Sequence, residues 1–225
     1  MTSAPILEIC TETLAGVLAA DQGGAHRIEF CSRLDLDGLT PELGALEQAC
    51  AATSLPVVAM LRPHPNFRLD LDLVQQMITE MTPLRNAGAQ GFALGGLDSN
   101  GEISYSAIKE LVAAADGLPV TFHRAFDQVA HKQTALGQLK EIGVARLLTS
   151  GGFGNALENQ AVLTALIAQA GDLQVIVGGG VRADQFPSLL TTDAAAFHSS
   201  LDYQPTAETV AILKSAITAE SGPRA

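Results

Sequence analysis

Residues 6–31 read ILEICTETLAGVLAADQGGAHRIEFC, and this stretch decides the fold class of the chain. It predicts a strand over Ile6–Cys10, a helix over about Thr13–Gln22 and a second strand over Arg27–Cys31. Successive side chains of a strand point to opposite faces. One face of each strand is therefore apolar. The other face carries charges and thiols: Glu8 and Cys10 in the first strand, and Arg27, Glu29 and Cys31 in the second.

The same strand–helix unit recurs along the rest of the chain. Six further strands are predicted at Pro56–Leu61, Gly91–Leu94, Val120–His123, Arg146–Thr149, Gln174–Val177 and Ala195–His198. Helices are predicted at about Pro41–Ala52, Leu71–Asn86, Tyr105–Ala115, Gln133–Ile142, Ala156–Ala170, Ala183–Leu190 and Thr206–Thr218. Thr40 is expected to cap the first of these helices, and Gly143 is expected to end the fourth.

Eight strand–helix units in 225 residues favour an α/β fold in which parallel strands close into a single-domain (β/α)8 (TIM) barrel. The domain would span residues 1–225, with its core from about residue 6 to residue 218. An open doubly wound sheet is the alternative. That fold usually carries a glycine-rich fingerprint after its first strand, where this chain has Cys10 followed by Thr-Glu-Thr.

The composition excludes several classes of protein. The formal net charge is −11 and Lys/Arg clusters are lacking, which argues against a nucleic-acid partner. No stretch is long and apolar enough to span a membrane, and the N-terminus does not resemble a signal peptide. Three cysteines are too few for a disulfide scaffold. We therefore expect a cytoplasmic protein with free thiols.

Polar residues follow almost every predicted strand. In a (β/α)8 barrel the carboxyl ends of the strands carry the functional site. The candidates at these ends, or facing inward by the two-residue period, are Glu8, Cys10, Arg27, Glu29, Cys31, Arg62, His123, Arg124, Asp127, Ser150, Gly151, Gly179, Gly180, His198 and Ser199. Glu8 and Glu29 can pair with Arg27 and Arg62. A purely structural alternative is that these four charges only neutralise one another inside the barrel.

Cys10 and Cys31 end adjacent strands at equivalent positions, so their sulfur atoms are expected to lie close together. Two thiolates with imidazoles nearby suit Cu(I) or Zn²⁺. The alternative is that both are small buried apolar residues. Cys50 lies in a predicted helix beside alanines and is interpreted as a packing residue.

The glycine-rich ends of the sixth and seventh strands favour an anion site. Glycines such as Gly151, Gly179 and Gly180 let backbone N–H groups approach a phosphate, and Ser199 offers a hydroxyl group. The alternative is a tight turn that only glycine can adopt.

These motifs together resemble the copper homeostasis protein CutC family, over nearly the whole chain from about residue 6 to residue 218. The matching segments are Glu8–Cys10, Arg27–Ser32, Gly38–Pro41, Arg62–Pro63, Phe122–Asp127, Leu148–Gly152, Gly178–Val181 and Phe197–Ser200. The resemblance implies a cytoplasmic (β/α)8 barrel that is often oligomeric, as a dimer or tetramer, and that has a role in copper tolerance. It also implies Cu(I) binding through thiols, which correspond here to Cys10 and Cys31.

Two loops depart from the family pattern. The segment from Arg62 to Phe67 lacks the Gly-Asp and Tyr typical of the family, and Asp37 precedes Gly38 where two glycines are usual. Both loops lie at the expected mouth of the site and bear on ligand preference.

Two functions follow. The first is a Cu(I)-binding homeostasis protein with Cys10 and Cys31 as metal ligands and with His123 or His198 as auxiliary ligands. The second is a barrel enzyme acting on a small phosphorylated or carboxylate metabolite. In that case Glu8, Glu29 and His123 are the acid–base candidates, and the arginines and the glycines of the seventh strand hold the anion.

Overall fold

The computed structural model describes residues 4–220 and consists of a closed barrel of eight parallel strands in the order of the sequence. It confirms the predicted single-domain (β/α)8 barrel. The strands are β1 Ile6–Thr11, β2 Arg27–Phe30, β3 Val57–Met60, β4 Phe92–Leu94, β5 Val120–Phe122, β6 Arg146–Thr149, β7 Gln174–Val177 and β8 Ala196–Ser199. The helices are α1 Leu14–Gln22, α2 Leu43–Ala51, α3 Leu71–Asn86, α4 Tyr105–Ala114, α5 Lys132–Ile142, α6 Gln160–Ala170, α7 Phe186–Leu189 and α8 Ala207–Glu220.

The outward-facing side chains of the strands form the main hydrophobic core together with the inner faces of the helices. Leu7 and Ile9 of β1 and Ile28 and Phe30 of β2 are almost completely buried there, as the two-residue period predicts. Their aliphatic and aromatic surface is removed from water under the helices, and this burial is the main source of stability.

The ends of several helices follow from local sequence. The Thr13 side chain accepts the N–H of Gly16 and caps α1, and the Asp70 side chain caps α3 in the same way. Gly143 ends α5 with φ 88°, as predicted, because a left-handed residue there is adopted most easily by glycine.

The predicted cap of α2 is wrong. The helix begins at Leu43, and its N-cap residue is Glu42 rather than Thr40. The Thr40 hydroxyl instead accepts the backbone N–H of Arg62 at 2.9 Å, so it joins two loops above the barrel.

Two other helices are shorter than predicted. Helix α6 begins at Gln160 instead of Ala156 because residues 156–159 form turns. The predicted helix over Ala183–Leu190 is divided into a 3-10 turn, the four-residue α7 and a second 3-10 turn. Pro187 lies at the start of α7, where its missing N–H group is tolerated.

The barrel interior holds two small apolar clusters and a set of buried charges. Ile6, Leu148, Ile176 and Ala196 form one cluster, and the other contains Cys10, Cys31, Leu34, Val58, Met60 and Ala93. The strand register places Glu8 beside both Arg27 and His198, and it places Cys10 beside Glu29. Neighbouring strands therefore bring the polar residues of β1, β2 and β8 into contact.

Among the helices of residues 4–220, none has the length and apolar character that crossing a membrane requires.

Candidate functional site

A cavity of about 430 Å³ opens at the carboxyl ends of the strands. Its wall includes ten of the predicted site residues: Cys10, Glu29, Arg62, His123, Arg124, Asp127, Gly179, Gly180, His198 and Ser199. Five other predicted residues are not part of the wall: Glu8, Arg27, Cys31, Ser150 and Gly151. A volume of this size suits a small molecule.

Two thiols meet at the cavity wall, which includes Cys10 but not Cys31. The Sγ atoms of Cys10 and Cys31 are 3.8 Å apart, and both residues are almost fully buried. The Cys10 thiol also donates to Glu29 Oε1 at 3.4 Å. The contact with Cys31, burial and the nearby carboxylate all raise the pKa of Cys10 well above its ordinary value. Cys10 is therefore a protonated thiol until a metal ion or a base takes its proton.

His198 lies beside this thiol pair. Its Nδ1 atom is 2.7 Å from Glu8 Oε1, and its Nε2 atom is 4.0 Å from Glu29 Oε1. Ligand atoms of His198, Cys10 and Glu29 all lie within 4.8 Å of one another. Burial opposes protonation of His198, but the charges of Glu29 and Glu8 outweigh it, so the pKa of the imidazole is raised.

Glu8 is held by partners on both sides. It forms a buried ion pair with the Arg27 Nε atom and accepts from His198. Burial alone would raise the pKa of this carboxyl, yet the hydrogen bond from His198 and the charge of Arg27 lower it to about 2. Glu8 is thus a fixed anion behind the site rather than a group that exchanges protons near neutral pH.

Glu29 is as deeply buried as Glu8 but differs from it in position and in partners. Its side chain lines the cavity, and its Oε2 atom has no hydrogen-bond partner among residues 4–220. Burial raises the pKa of this carboxyl, and the carboxylate of Glu8 adds to the effect. Glu29 is consequently the acidic group of the site that has a free ligand position.

Arg62 does not pair with Glu8 or Glu29, contrary to the pairing considered from sequence. Its guanidinium donates to the carbonyl oxygens of Leu36 and Gly38, both at 2.8 Å, and to that of Pro65. It also stacks 4.5 Å above the Phe67 ring. The irregular loops after β2 and β3 supply these acceptors, which strand periodicity cannot predict.

His123 presents one ring nitrogen to the backbone and leaves the other without a partner. Its Nδ1 atom accepts the N–H of Ala125 at 3.3 Å, which caps a 3-10 turn at Arg124–Gln128. Its Nε2 atom has no protein partner in the described part of the chain. Burial and the charge of Arg62 lower the pKa of the imidazole to about 3, so the ring is neutral at physiological pH.

We predict that His123→Asn reduces the loss of stability on mild acidification. The unfolded chain takes up a proton near the ordinary histidine pKa of 6.5, whereas the folded chain does so only near pH 3. Between these values the unfolded state binds more protons, so stability falls as the pH falls. From pH 7.5 to pH 5.0 this difference in protonation should lower the free energy of unfolding of the wild type by about 2 kcal/mol. Urea unfolding at both pH values measures this decrease. An equal decrease in the wild type and in His123→Asn would contradict the prediction.

Gly95 provides the space that the His123 ring occupies. A Cβ atom at this position would lie 2.6 Å from His123 Nδ1 and 2.7 Å from Cε1. We predict that Gly95→Ala lowers the free energy of unfolding by about 1–3 kcal/mol through overpacking. Gly44→Ala, in α2 with no atom within 4 Å of the added carbon, is the control and should be neutral or slightly stabilising. Equal effects of the two substitutions in urea unfolding would refute the prediction.

Arg124, Asp127 and Ser150 bind one another. Arg124 Nε donates to Asp127 Oδ2 at 2.9 Å, and its Nη2 donates to Ser150 Oγ at 3.2 Å. Asp127 also accepts from the backbone N–H and hydroxyl of Ser150 and from the hydroxyl of Thr149. These bonds join the turn after β5 to the end of β6, and Asp127 takes part in most of them.

The glycine-rich ends of β6 and β7 form the adjoining rim, because a Cβ atom at Gly179 would lie 2.7 Å from Ser150 Cβ and 3.5 Å from Arg124 Nη2. Gly179 and Gly180 line the cavity with φ values of 93° and 77°, which are left-handed conformations. Gly151, with φ 85°, lies behind them. The Ser199 hydroxyl donates to the Val181 carbonyl oxygen at 3.0 Å, so its proton is already used within this rim.

Sequence reasoning missed one buried charge inside the barrel and several residues of the cavity wall. Arg146 lies in the barrel interior, where it donates to Thr121 Oγ1 at 2.9 Å, and burial lowers the pKa of its guanidinium to about 10. The two-residue period could have found it, because Arg146 shares a face of β6 with Leu148. The cavity wall also includes Met60, Phe67, Phe153, Arg182, Asp202 and Tyr203, which mostly belong to loops without a periodic pattern.

The chain is similar in sequence and in structure to proteins of one family. The model of the CutC family matches residues 5–203. A CutC family protein of Caulobacter vibrioides is 40% identical over 187 residues, which cover 82% of this chain and 76% of the relative. The copper homeostasis protein cutC homolog of Drosophila melanogaster is 36% identical over 200 residues, covering 86% of this chain and 76% of the relative. The crystal structure of CutC from Streptococcus agalactiae aligns with a TM-score of 0.81 and 28% identity, covering 87% of this chain and 98% of that one.

Proposed function

Since the chain belongs to the CutC family, we propose that it is a copper homeostasis protein that binds Cu(I) and contributes to copper tolerance. The names of similar proteins support the role in homeostasis, among them the copper homeostasis protein cutC homolog of Drosophila melanogaster. The binding of Cu(I) itself is argued from the chemistry of the buried thiols.

The observation that carries this proposal is the contact of Cys10 with Cys31. Their Sγ atoms are 3.8 Å apart, so a modest adjustment lets both sulfurs bind a single ion. Thiolates are soft ligands and select Cu(I) over hard cations. Because both thiols are buried, a bound ion would be protected from water and oxidants.

His198 is the auxiliary ligand that the geometry favours over His123. Its Nδ1 atom is held by Glu8, which leaves Nε2 directed toward the thiol cluster, an arrangement typical of metal-binding histidines with an outer carboxylate. Glu29 can supply an oxygen atom through its unpartnered Oε2. Neither His123 nor Cys31 is part of this group, but the Cys31 sulfur adjoins it through its 3.8 Å contact with Cys10 Sγ.

The test is X-ray absorption at the copper edge on protein loaded with one equivalent of Cu(I) under anaerobic conditions. The proposal predicts sulfur scatterers from two thiolates and a lighter scatterer from His198 or Glu29. A spectrum with only nitrogen and oxygen scatterers would contradict it. Copper tolerance of cells lacking the gene, compared with cells that express the double variant Cys10→Ser/Cys31→Ser, tests the cellular role.

We predict that His198→Ala weakens Cu(I) binding by at least about 10-fold, because the loss of even an outer partner of a metal ligand weakens binding by roughly 10–100-fold. The thiols would still hold the ion, so binding weakens but persists. Competition with a Cu(I) chelator measures the change. His123→Asn is the matched control in the same cavity and should keep the wild-type affinity. The ligand assignment fails if the two variants bind equally.

A cytoplasmic location and self-association belong to the same proposal. Cys10, Cys31 and Cys50 are free thiols, which suits a reducing compartment. Helices α1 and α2 expose Leu14, Leu18 and Leu43, and these side chains suit an interface between copies. Sedimentation velocity should then give a dimer or tetramer.

One observation supports a second candidate function, a barrel enzyme acting on a small phosphorylated or carboxylate metabolite. The Glu29 carboxyl lines the cavity with a free oxygen and a raised pKa, as a general acid or base requires. Under this candidate Glu29 would exchange the proton, while Glu8 would hold His198 in place.

A further inference from the structure

Two buried N–H groups on the wall of the cavity lack acceptors within the described chain. They are Nε2 of His123 and Nε of Arg62, whose residues are only 3% and 5% exposed. Buried donors are nearly always hydrogen-bonded, because an unpaired one loses its bond to water without replacement. Two such donors on one cavity wall therefore indicate an acceptor that is not part of this chain.

The hydrogen bonding of His123 determines which nitrogen carries the proton. Because Nδ1 accepts the backbone N–H of Ala125, the proton of the neutral ring resides on Nε2. His123 is thus a neutral donor toward the cavity. The ring is held in place by a tilted contact with Phe67 and an edge contact with Phe122, at centroid distances of 5.1 and 5.9 Å. A donor fixed in this way needs little reorganisation to bind an acceptor.

Arg62 adds a positive charge that no carboxylate contacts within residues 4–220. The hydrogen bonds of its guanidinium group go to the carbonyl oxygens of Leu36, Gly38 and Pro65. Asp37 is the acidic residue whose charge acts on it. The arginine and His123 both lie against Phe67, so this part of the wall presents a cation and a neutral donor side by side.

We propose that the cavity binds a small anionic metabolite, a carboxylate or a phosphate, whose oxygens accept hydrogen bonds from His123 Nε2 and Arg62. This subsite is separate from the thiol cluster of Cys10 and Cys31 and does not depend on copper binding. It supplies the ligand contact that the second candidate function would need. A charge-assisted bond from arginine together with a neutral imidazole donor suits an oxyanion better than a cation or an apolar ligand.

The cavity volume agrees with a ligand of few atoms. The charges of its other walls determine where in the cavity an anion can lie. The space of about 430 Å³ is near the lower end for small-molecule sites. Arg124 and Arg182 line it as well, but Arg124 is paired with Asp127 and Arg182 with Asp202. Arg62 is therefore the wall arginine whose charge no carboxylate contacts within residues 4–220, and an anion is expected to lie beside it. The carboxyl of Glu29 faces the same space and should disfavour anions placed toward the thiols.

Isothermal titration of the metal-free, reduced protein with inorganic phosphate and with oxalate tests this inference. We expect saturable binding of at least one probe and a loss of at least tenfold in affinity in His123→Asn. The asparagine Oδ1 can still accept the Ala125 N–H, so the variant removes the Nε2 donor while it keeps the cap. Arg182→Gln is the matched control beside the glycine-rich rim, where Arg182 is already paired with Asp202, and it should weaken binding less than His123→Asn.

The inference is overturned if neither probe binds at millimolar concentration, or if binding is unchanged in His123→Asn. A loss of anion affinity in Arg182→Gln but not in His123→Asn would also overturn the inference, because the anion would then lie at the glycine-rich rim. If His123→Asn does not fold, nitrogen-15 spectra of the wild-type imidazoles replace it. The Nε2–H signal of His123 should shift on addition of the bound probe, and an unshifted signal counts against the subsite. Cu(I) binding that persists when anion binding fails would leave the proposed copper function intact.

Discussion

Replacing Arg27 with methionine is expected to lower the free energy of unfolding by about 3–5 kcal/mol, the usual cost of breaking a buried ion pair. Glu8 is 1% exposed and depends on Arg27 and His198 for its charge. Methionine has similar length, so packing changes little, but the carboxylate loses its cationic partner inside the barrel. The destabilisation therefore reports an uncompensated charge rather than a cavity.

Urea unfolding at pH 7 measures this effect. Arg33→Met is the matched control, because Arg33 forms an ion pair with Asp35 whose side chains are 58% and 62% exposed. The control should unfold like the wild type, since exposed ion pairs contribute little. Similar free energies of unfolding for Arg27→Met and the control would show that the buried ion pair does not stabilise the fold.

Acid unfolding tests the ion pair of Glu8 and Arg27 independently. The pKa of Glu8 is lowered to about 2 from its ordinary value of 4.5, so its contribution is complete above pH 4.5 and is lost as the pH falls toward 2. Without Arg27 the pKa of Glu8 should rise, and acid unfolding should begin at a higher pH. An unchanged acid transition in Arg27→Met would contradict this role of the arginine.

The fold and the inward direction of the polar residues could be predicted because both depend on local periodicity. Alternation in β1 and β2 placed Glu8, Cys10, Arg27, Glu29 and Cys31 on one face, and the structure places all five inside the barrel or at its mouth. Their partners depend on strand register and on barrel closure, and a two-residue period does not contain that information. The contact of Glu8 with His198, 190 residues away, arises only because β8 pairs with β1.

The arrangement of the loops could not be predicted for a different reason. Arg62 was expected near the carboxylates, but it is bound by carbonyl oxygens of the loop after β2, where Asp37 adopts a left-handed conformation. Asp127 was interpreted as a ligand-binding residue, yet much of its hydrogen-bonding capacity is taken up by Thr149 and Ser150 from the next strand. Such contacts depend on where the irregular loop backbone places each side chain, and that backbone has no sequence period.

The second large effect is expected in Cys10→Ser/Cys31→Ser. Serine is close in size to cysteine, so the fold should persist, but its hydroxyl group is a hard and weakly acidic ligand for Cu(I). We expect affinity to fall by more than about 100-fold, beyond the range for loss of a supporting group. Cys50→Ser is the matched control, because Cys50 lies in α2 outside the thiol cluster. Circular dichroism confirms folding of each variant before copper is added.

The most direct test of Cu(I) binding by Cys10 and Cys31 is an anaerobic Cu(I) titration of the fully reduced wild-type protein against a competing chelator. The same titration is made with this double variant. If Cys10 and Cys31 hold the ion, the wild type and Cys50→Ser bind one Cu(I) per chain tightly, and Cys10→Ser/Cys31→Ser does not. Stoichiometric binding that survives in the folded double variant would contradict it, as would the absence of tight binding in the wild type.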